Sequence, residues 1–144
     1  MSSLNNLSHI FKAYDIRGKV GTELTNDLVT RVGSAFSKWL SNKGCIVIGR
    51  DMRPDSEELA NALITGIVSS GRDVINIGMV TSDMAVFAIK HLGAAGAAIV
   101  TASHNPGEYN GIKLFDNTPK TIGLDQGLGI IRDSALNEGG GESG

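Results

Sequence analysis

Apolar residues along the chain fall into two alternating kinds of run. Short, largely apolar stretches at Cys45 to Ile48, Val74 to Ile77 and Ala97 to Val100 are separated by longer segments whose apolar positions recur every three or four residues. The first kind suits strands, Cys45 to Ile48 being of the sort buried on both faces, and the second suits helices with one buried stripe. The first helix is predicted over Asn26 to Leu40, with Thr25 as its N-cap and Leu28, Val32, Ala35, Phe36, Trp39 and Leu40 on one face. Trp39 is read as core rather than as a ligand platform. Asn42 to Gly44 breaks this helix. Asp55, followed three residues later by Glu58, resembles a capping box for a second helix carrying Leu59, Ala62, Leu63 and Ile67, which Gly71 stops after Ser70. Thr81 or Ser82 caps a third helix through Val86, Phe87 and Ile89, ended by Gly93. Phe11 to Gly18 predicts a short strand, Ile112 to Phe115 a returning one, and Gly123 to Ala135 a last helix weakened by Gly127 and Gly129.

The βαβαβ alternation predicts an α/β fold with three layers, α/β/α, around a mixed, mostly parallel sheet. The three apolar runs should be parallel to one another, and Ile112 to Phe115 antiparallel to its predecessor. The direction of the first strand is not determined by the sequence. Right-handed crossovers would gather the loops after the parallel strands at one edge, with Asp15, Arg17, Arg50 to Arg53 and Ser103 among them.

Composition narrows the possibilities. The 144 residues, 41% apolar, suffice for one domain with a hydrophobic core. That domain is expected over residues 10–136, after a disordered stretch 1–9 and before a flexible tail 137–144 with the Gly/Glu/Ser composition of a linker. There is no internal repeat. A net charge of −2 without a Lys/Arg cluster argues against nucleic acid and anionic membrane as partners. No apolar run reaches the roughly 18 residues of a spanning helix. The polar N-terminus lacks a signal core, so a cytoplasmic protein is expected. The single cysteine, Cys45, excludes an intrachain disulfide and a Cys-based zinc site, and its apolar surroundings suggest a small buried hydrophobe.

Chemistry concentrates in Thr101-Ala-Ser-His-Asn-Pro106, which follows the third apolar run and places Ser103 in a turn. A serine hydroxyl is a weak nucleophile without a base or a charge beside it, and His104 and Lys113 are the nearby candidates. The same residues also fit a solvated turn with no catalytic role. A serine-esterase elbow is not supported, because the flanking glycines of that motif are missing.

Four segments in this order resemble the first domain of the α-D-phosphohexomutases: Tyr14-Asp-Ile-Arg-Gly18, Ile48-Gly-Arg-Asp-Met-Arg53, Thr101-Ala-Ser-His-Asn-Pro106 and Tyr109-Asn-Gly-Ile-Lys113. The likeness runs from about Phe11 to Asp133. It implies that Ser103 is the phosphoserine of an intramolecular phosphotransferase interconverting hexose 1-phosphate and hexose 6-phosphate through a 1,6-bisphosphate. It further implies catalytic roles for Ser103, His104, Lys113 and Arg17, and substrate contacts from Tyr14, Arg17 and Asn105. For His104, holding the loop is the preferred role. One Mg²⁺ per active site would take a phosphate oxygen on Ser103 as a ligand and be held mainly by a second domain. Thr81-Ser-Asp-Met84 resembles phosphomannomutases more than phosphoglucomutases, so mannose phosphates are the expected substrates and glucose phosphates the alternative. No Asp-x-Asp-x-Asp metal loop occurs in the chain. It is therefore expected to be a first-domain fragment, inactive alone and prone to self-association through an uncovered apolar face. A stand-alone domain that binds a phosphorylated ligand without turnover is the other reading.

Overall fold

The computed structural model describes residues 7–102, 106–118 and 120–137. Within them, β1 (Ile16–Lys19), β2 (Ile46–Arg50), β3 (Val74–Met79), β4 (Gly96–Val100) and β5 (Tyr109–Asp116) form one mixed sheet in the order β1-β5-β4-β2-β3. β2 pairs in parallel with both β3 and β4, whereas β5 is antiparallel to β4 and to β1. Two antiparallel steps make β1 run in the same direction as β4, which settles the direction of the first strand. The four helices are α1 (Asn26–Trp39), α2 (Pro54–Ser69), α3 (Ser82–Leu92) and α4 (Gly129–Leu136).

Side-chain alternation along the strands divides the core into two layers. Ile46, Ile48, Ala98, Val100, Ile112 and Leu114 join the larger core with α1, α2 and α4, while Val47, Ala97, Ile99 and Phe115 face α3 in a smaller one. Fully burying an aliphatic or aromatic side chain of this size contributes roughly 1.5–3 kcal/mol, so Leu28, Phe36, Leu63 and Ile67 make the α1–α2 layer the main source of stability. The two helices approach closely because glycines stand at their crossing: a Cβ on Gly66 would overlap the Thr30 carbonyl oxygen. Cys45 is partly buried and packs against the smaller core.

Helix ends follow local chemistry with two differences. Thr25 Oγ1 accepts from Leu28 N at 3.1 Å, Thr81 Oγ1 accepts from Met84 N at 3.3 Å, and Gly93 closes α3 in the left-handed region at φ 64°. α2 begins two residues earlier than a capping box on Asp55 would start it, at Pro54 with Arg53 as its cap, because the fixed φ of proline suits the first helical position. Asp55 and Glu58 bond outward instead, to Asn110 and Asn26 respectively. On α3 the buried residues are Ala85, Ala88 and Ile89, and Phe87 is 68% exposed, stacked on His91 at 5.5 Å. Small side chains let α3 lie close over the sheet, so Phe87 falls outside its inward stripe.

The first segment also differs from the expected Phe11 to Gly18 strand. Residues 7–10 form a 3₁₀ turn that brings Ile10 and Phe11 into the core. Phe11 then meets Ile16 in a single bridge, because Lys12 N donates to Asp15 O at 2.7 Å and turns the chain. The expected last helix is a π-helical turn, Leu124–Leu128, followed by α4. There a Cβ on Gly127 would collide with the partly buried Trp39 ring, which packs against the larger core as expected. Among the described residues no helix is long and apolar enough to cross a membrane.

Candidate active site

The strand directions bring the sequence motifs to one sheet edge. β4 ends at Val100, Thr101 N donates to Gly111 O at 2.9 Å, and Gly111 pairs with Arg17 of β1. Thr101, Gly111 and Arg17 are therefore level across three strands. Gly111 is required by this crowding: a Cβ there would sit 2.7 Å from Ile16 O, 3.0 Å from Arg17 Cγ and 3.1 Å from Thr101 O. Alternation places Arg17 and Lys113 on the same sheet face, the one that α3 covers over β2 and β4.

On this face Lys12, Tyr14, Asp15, Arg17, Lys113 and Thr121 line a cleft of about 300 Å³. Arg17 Nε donates to Asp15 Oδ1 at 3.1 Å, which engages one of the five guanidinium donors. Lys12 and Lys113, both half-buried, have no carboxylate partner among the described residues. The cleft thus carries three cations against one carboxylate, a charge balance that suits an anion. Tyr14, 66% exposed, also borders a neighbouring cleft with Gly123, Asp125 and Gln126. Of the six expected site residues, Arg17, Lys113 and Tyr14 come together here. Ser103, His104 and Asn105 lie outside the described residues.

The residues flanking them are held by a polar network that sequence reasoning did not single out. Asp51 Oδ2 accepts from Ala102 N at 3.0 Å, and its Oδ1 accepts from Arg53 N at 3.1 Å and Ser56 Oγ at 2.5 Å. Ser56 Oγ in turn accepts from the Nδ2 of Asn110, a fully buried residue, at 2.9 Å. Asn110 Oδ1 accepts from Gly111 N at 2.8 Å. Arg53 Nη1 donates to the carbonyls of Pro106 at 3.1 Å and Tyr109 at 3.0 Å. Asp51, Arg53 and Asn110 lie within the motif segments Ile48 to Arg53 and Tyr109 to Lys113, which gave them no individual role. Ser56, a serine inside a helical run, gave no signal at all.

Burial pushes the Asp51 carboxyl upward, but hydrogen bonds from Ser56, the Ala102 and Arg53 amides and Thr101 outweigh it and hold the group below the usual aspartate range. The folded carboxyl has the lower pKa, so the unfolded chain takes the proton first. The stabilisation is complete above the unfolded value of about 3.9 and is lost as pH falls from there through the folded pKa. The urea midpoint of the wild-type chain should therefore drop between pH 6 and pH 2, and that of Asp51→Asn should start lower and drop less. Parallel curves would show that Asp51 does not contribute.

Among the described residues no group of three or more His, Cys, Asp or Glu side chains could hold a metal ion. Asp51 is already committed to its four donors. The described side chains thus do not form a Mg²⁺ site by themselves, and the only ligand the chain was expected to give is a phosphate oxygen on Ser103.

Comparison with known proteins bears on the fold and the family of the chain. The chain is 48% identical over 124 residues to a protein named "Phosphohexose mutases" from Xanthomonas campestris, covering 86% of this chain and 28% of that protein. It is 48% identical over 122 residues to a Klebsiella pneumoniae phosphomannomutase, covering 85% of this chain and 77% of the relative. A phosphoglucomutase/phosphomannomutase family protein from Burkholderia thailandensis superposes with a TM-score of 0.80 at 32% identity, over 91% of this chain and 30% of that one. The chain thus spans under a third of the length of the Xanthomonas and Burkholderia proteins. Residues 8–138 match the family profile "Phosphoglucomutase/phosphomannomutase, alpha/beta/alpha domain I", and on that match, with the fold that accompanies it, the chain belongs to the phosphoglucomutase/phosphomannomutase family as its domain I.

Proposed function

We propose that this chain is the phosphoserine-bearing domain of a longer phosphohexomutase, in which Ser103 gives a phosphoryl group to a hexose monophosphate and takes back the other one from the resulting 1,6-bisphosphate. The observation that carries this reading is the cation-rich cleft of Lys12, Arg17 and Lys113, the last two on the strands β1 and β5 beside the Thr101 end of β4. Phosphoryl transfer depends on positioning and charge neutralisation, and these side chains supply positive charge at the sheet edge that leads to Ser103. Arg17 and Lys113 take the charge-stabilising roles, with Tyr14 and Asn105 as substrate contacts and His104 as a support for the loop. Mannose phosphates are the proposed substrates, supported by the phosphomannomutase relatives and by Thr81-Ser-Asp-Met84. A Mg²⁺ ion, when bound, would neutralise charge on the transferring phosphoryl group, with most of its ligands coming from outside this chain.

The enzyme is proposed to act in the cytoplasm. By itself the 144-residue chain is proposed to fold without turning over substrate. Its exposed Met79, Met84 and Phe87 support self-association in that isolated state.

Incubating the longer enzyme with glucose 1,6-bisphosphate and Mg²⁺, then mapping phosphopeptides by mass spectrometry, tests the assignment. Phosphate on Ser103 is the expected result. Phosphate on another residue with Ser103 unmodified would sink it.

A further inference from the structure

The sheet stops supporting the chain just before Ser103. Val100 O accepts from Asp51 N at 2.9 Å and Thr101 N donates across to β5, but Ala102 N, fully buried, bonds to a side chain instead. The Asp51 carboxylate occupies the place of the next rung. Two residues further along the same loop, the Arg53 guanidinium takes the carbonyls of Pro106 and Tyr109. Ser56 and Asp55, at the start of α2, take the Asn110 amide. One six-residue stretch, Asp51 to Ser56, thus bonds to Ala102 on one side and to Pro106, Tyr109 and Asn110 on the other, and Ser103 lies between them in the sequence.

We propose that Asp51 and Arg53 are positioning residues for phosphoryl transfer: a two-point clamp that fixes the backbone on either side of Ser103 without touching the reacting atoms. The inference rests on the proposed function of Ser103, but the clamp is testable apart from it. A polar network can fix one geometry only when each donor and acceptor is satisfied, and no buried side-chain polar atom among the described residues lacks a partner. Several bonds of this network end on the segment 102–110 rather than on the core helices, so losing them should loosen that segment first. Transfer rates are sensitive to ångström-scale misplacement, so the loosening should appear in turnover before it appears in binding.

Amide hydrogen exchange on the 144-residue chain, read by NMR, decides the structural half. In Asp51→Asn the Ala102 amide should exchange about tenfold faster or more, as expected for loss of a charge-assisted bond, while β2 and β4 amides stay within about twofold of wild type. Arg53→Met, which leaves the Asp51 carboxylate in place, should accelerate exchange at Tyr109 and Asn110 instead. Unchanged protection in both variants, or loss spread evenly through the sheet, would overturn the clamp.

The functional half uses the longer enzyme. Either variant should lower kcat about 10²-fold with KM for the hexose phosphate within about threefold, and Arg53→Lys, which keeps one cationic donor, should recover part of the loss. A raised KM with kcat unchanged would make these residues part of substrate binding and overturn the positioning role. If the wild-type enzyme places no phosphate on Ser103, the proposed function fails, and the exchange data still report whether the segment is clamped.

Discussion

Ser103→Ala in the longer mutase is expected to reduce interconversion of mannose 1-phosphate and mannose 6-phosphate to background, a loss of about 10⁴-fold or more. In the proposed cycle the bond between Ser103 Oγ and phosphorus breaks as a sugar hydroxyl oxygen bonds to that phosphorus, and the reverse exchange at the other end of the bisphosphate restores the phosphoserine. Alanine has no oxygen to carry the group between sugars, so the loss should fall on kcat, with substrate binding through Tyr14 and Arg17 largely kept. A phosphoserine bears up to about two negative charges, and its transfer also needs a clamp on the sugar's distal phosphate. The described residues offer cations for one phosphoryl group but no metal-holding cluster. Residues 1–144 alone are therefore expected to show no conversion in a coupled mutase assay. Robust turnover by the 144-residue chain, or by the Ser103→Ala enzyme, would overturn the reading.

Gly66→Ala should be the most destabilising single methyl addition to the fold, by about 3 kcal/mol or more, lowering the melting temperature by about 10 °C. The added Cβ would overlap the Thr30 carbonyl oxygen and come within 2.9 Å of Ser34 N, both backbone atoms of α1 that cannot move without displacing the helix. Gly33, opposite, meets the Leu63 backbone in the same way, so neither helix can yield toward the other. Separating them would open the layer containing Leu28, Phe36, Leu63 and Ile67. Gly107→Ala is the control. A Cβ there has nothing within 4 Å among the described residues, and its effect should stay within about 0.5 kcal/mol. A Gly66→Ala chain melting within two degrees of wild type would show that the helices do not cross at this distance.

Much of the fold could be read directly from residue patterns. Cys45 to Ile48, Val74 to Ile77 and Ala97 to Val100 announce strands because nothing polar interrupts them for long, and Thr25, Thr81, Gly71 and Gly93 mark helix ends through bonds and φ values that are local to each end. Where a long-range contact competes with a local signal, the local signal loses. Asp55 and Glu58 look like a capping box until Pro54 takes the first helical position and Asn110 and Asn26 claim their carboxylates. Phe87 looks like part of a stripe until the smaller Ala85 and Ala88 let α3 lie close to the sheet.

The site divides along the same line. Tyr14, Arg17 and Lys113 were visible in short motifs, since a motif records the chemistry of its own side chains. Only the tertiary structure decided that β1 runs with β4, which makes Arg17 level with Thr101 and sets it on one face with Lys113. The same holds for Asp51, Arg53, Ser56 and Asn110, whose bonds join residues 51 to 56 positions apart along the chain. The physical reason is that the sequence by itself determines periodicity, caps and turns, which depend on neighbours a few residues away. Strand order, and the donors that meet a buried carboxylate, are determined by the whole fold at once.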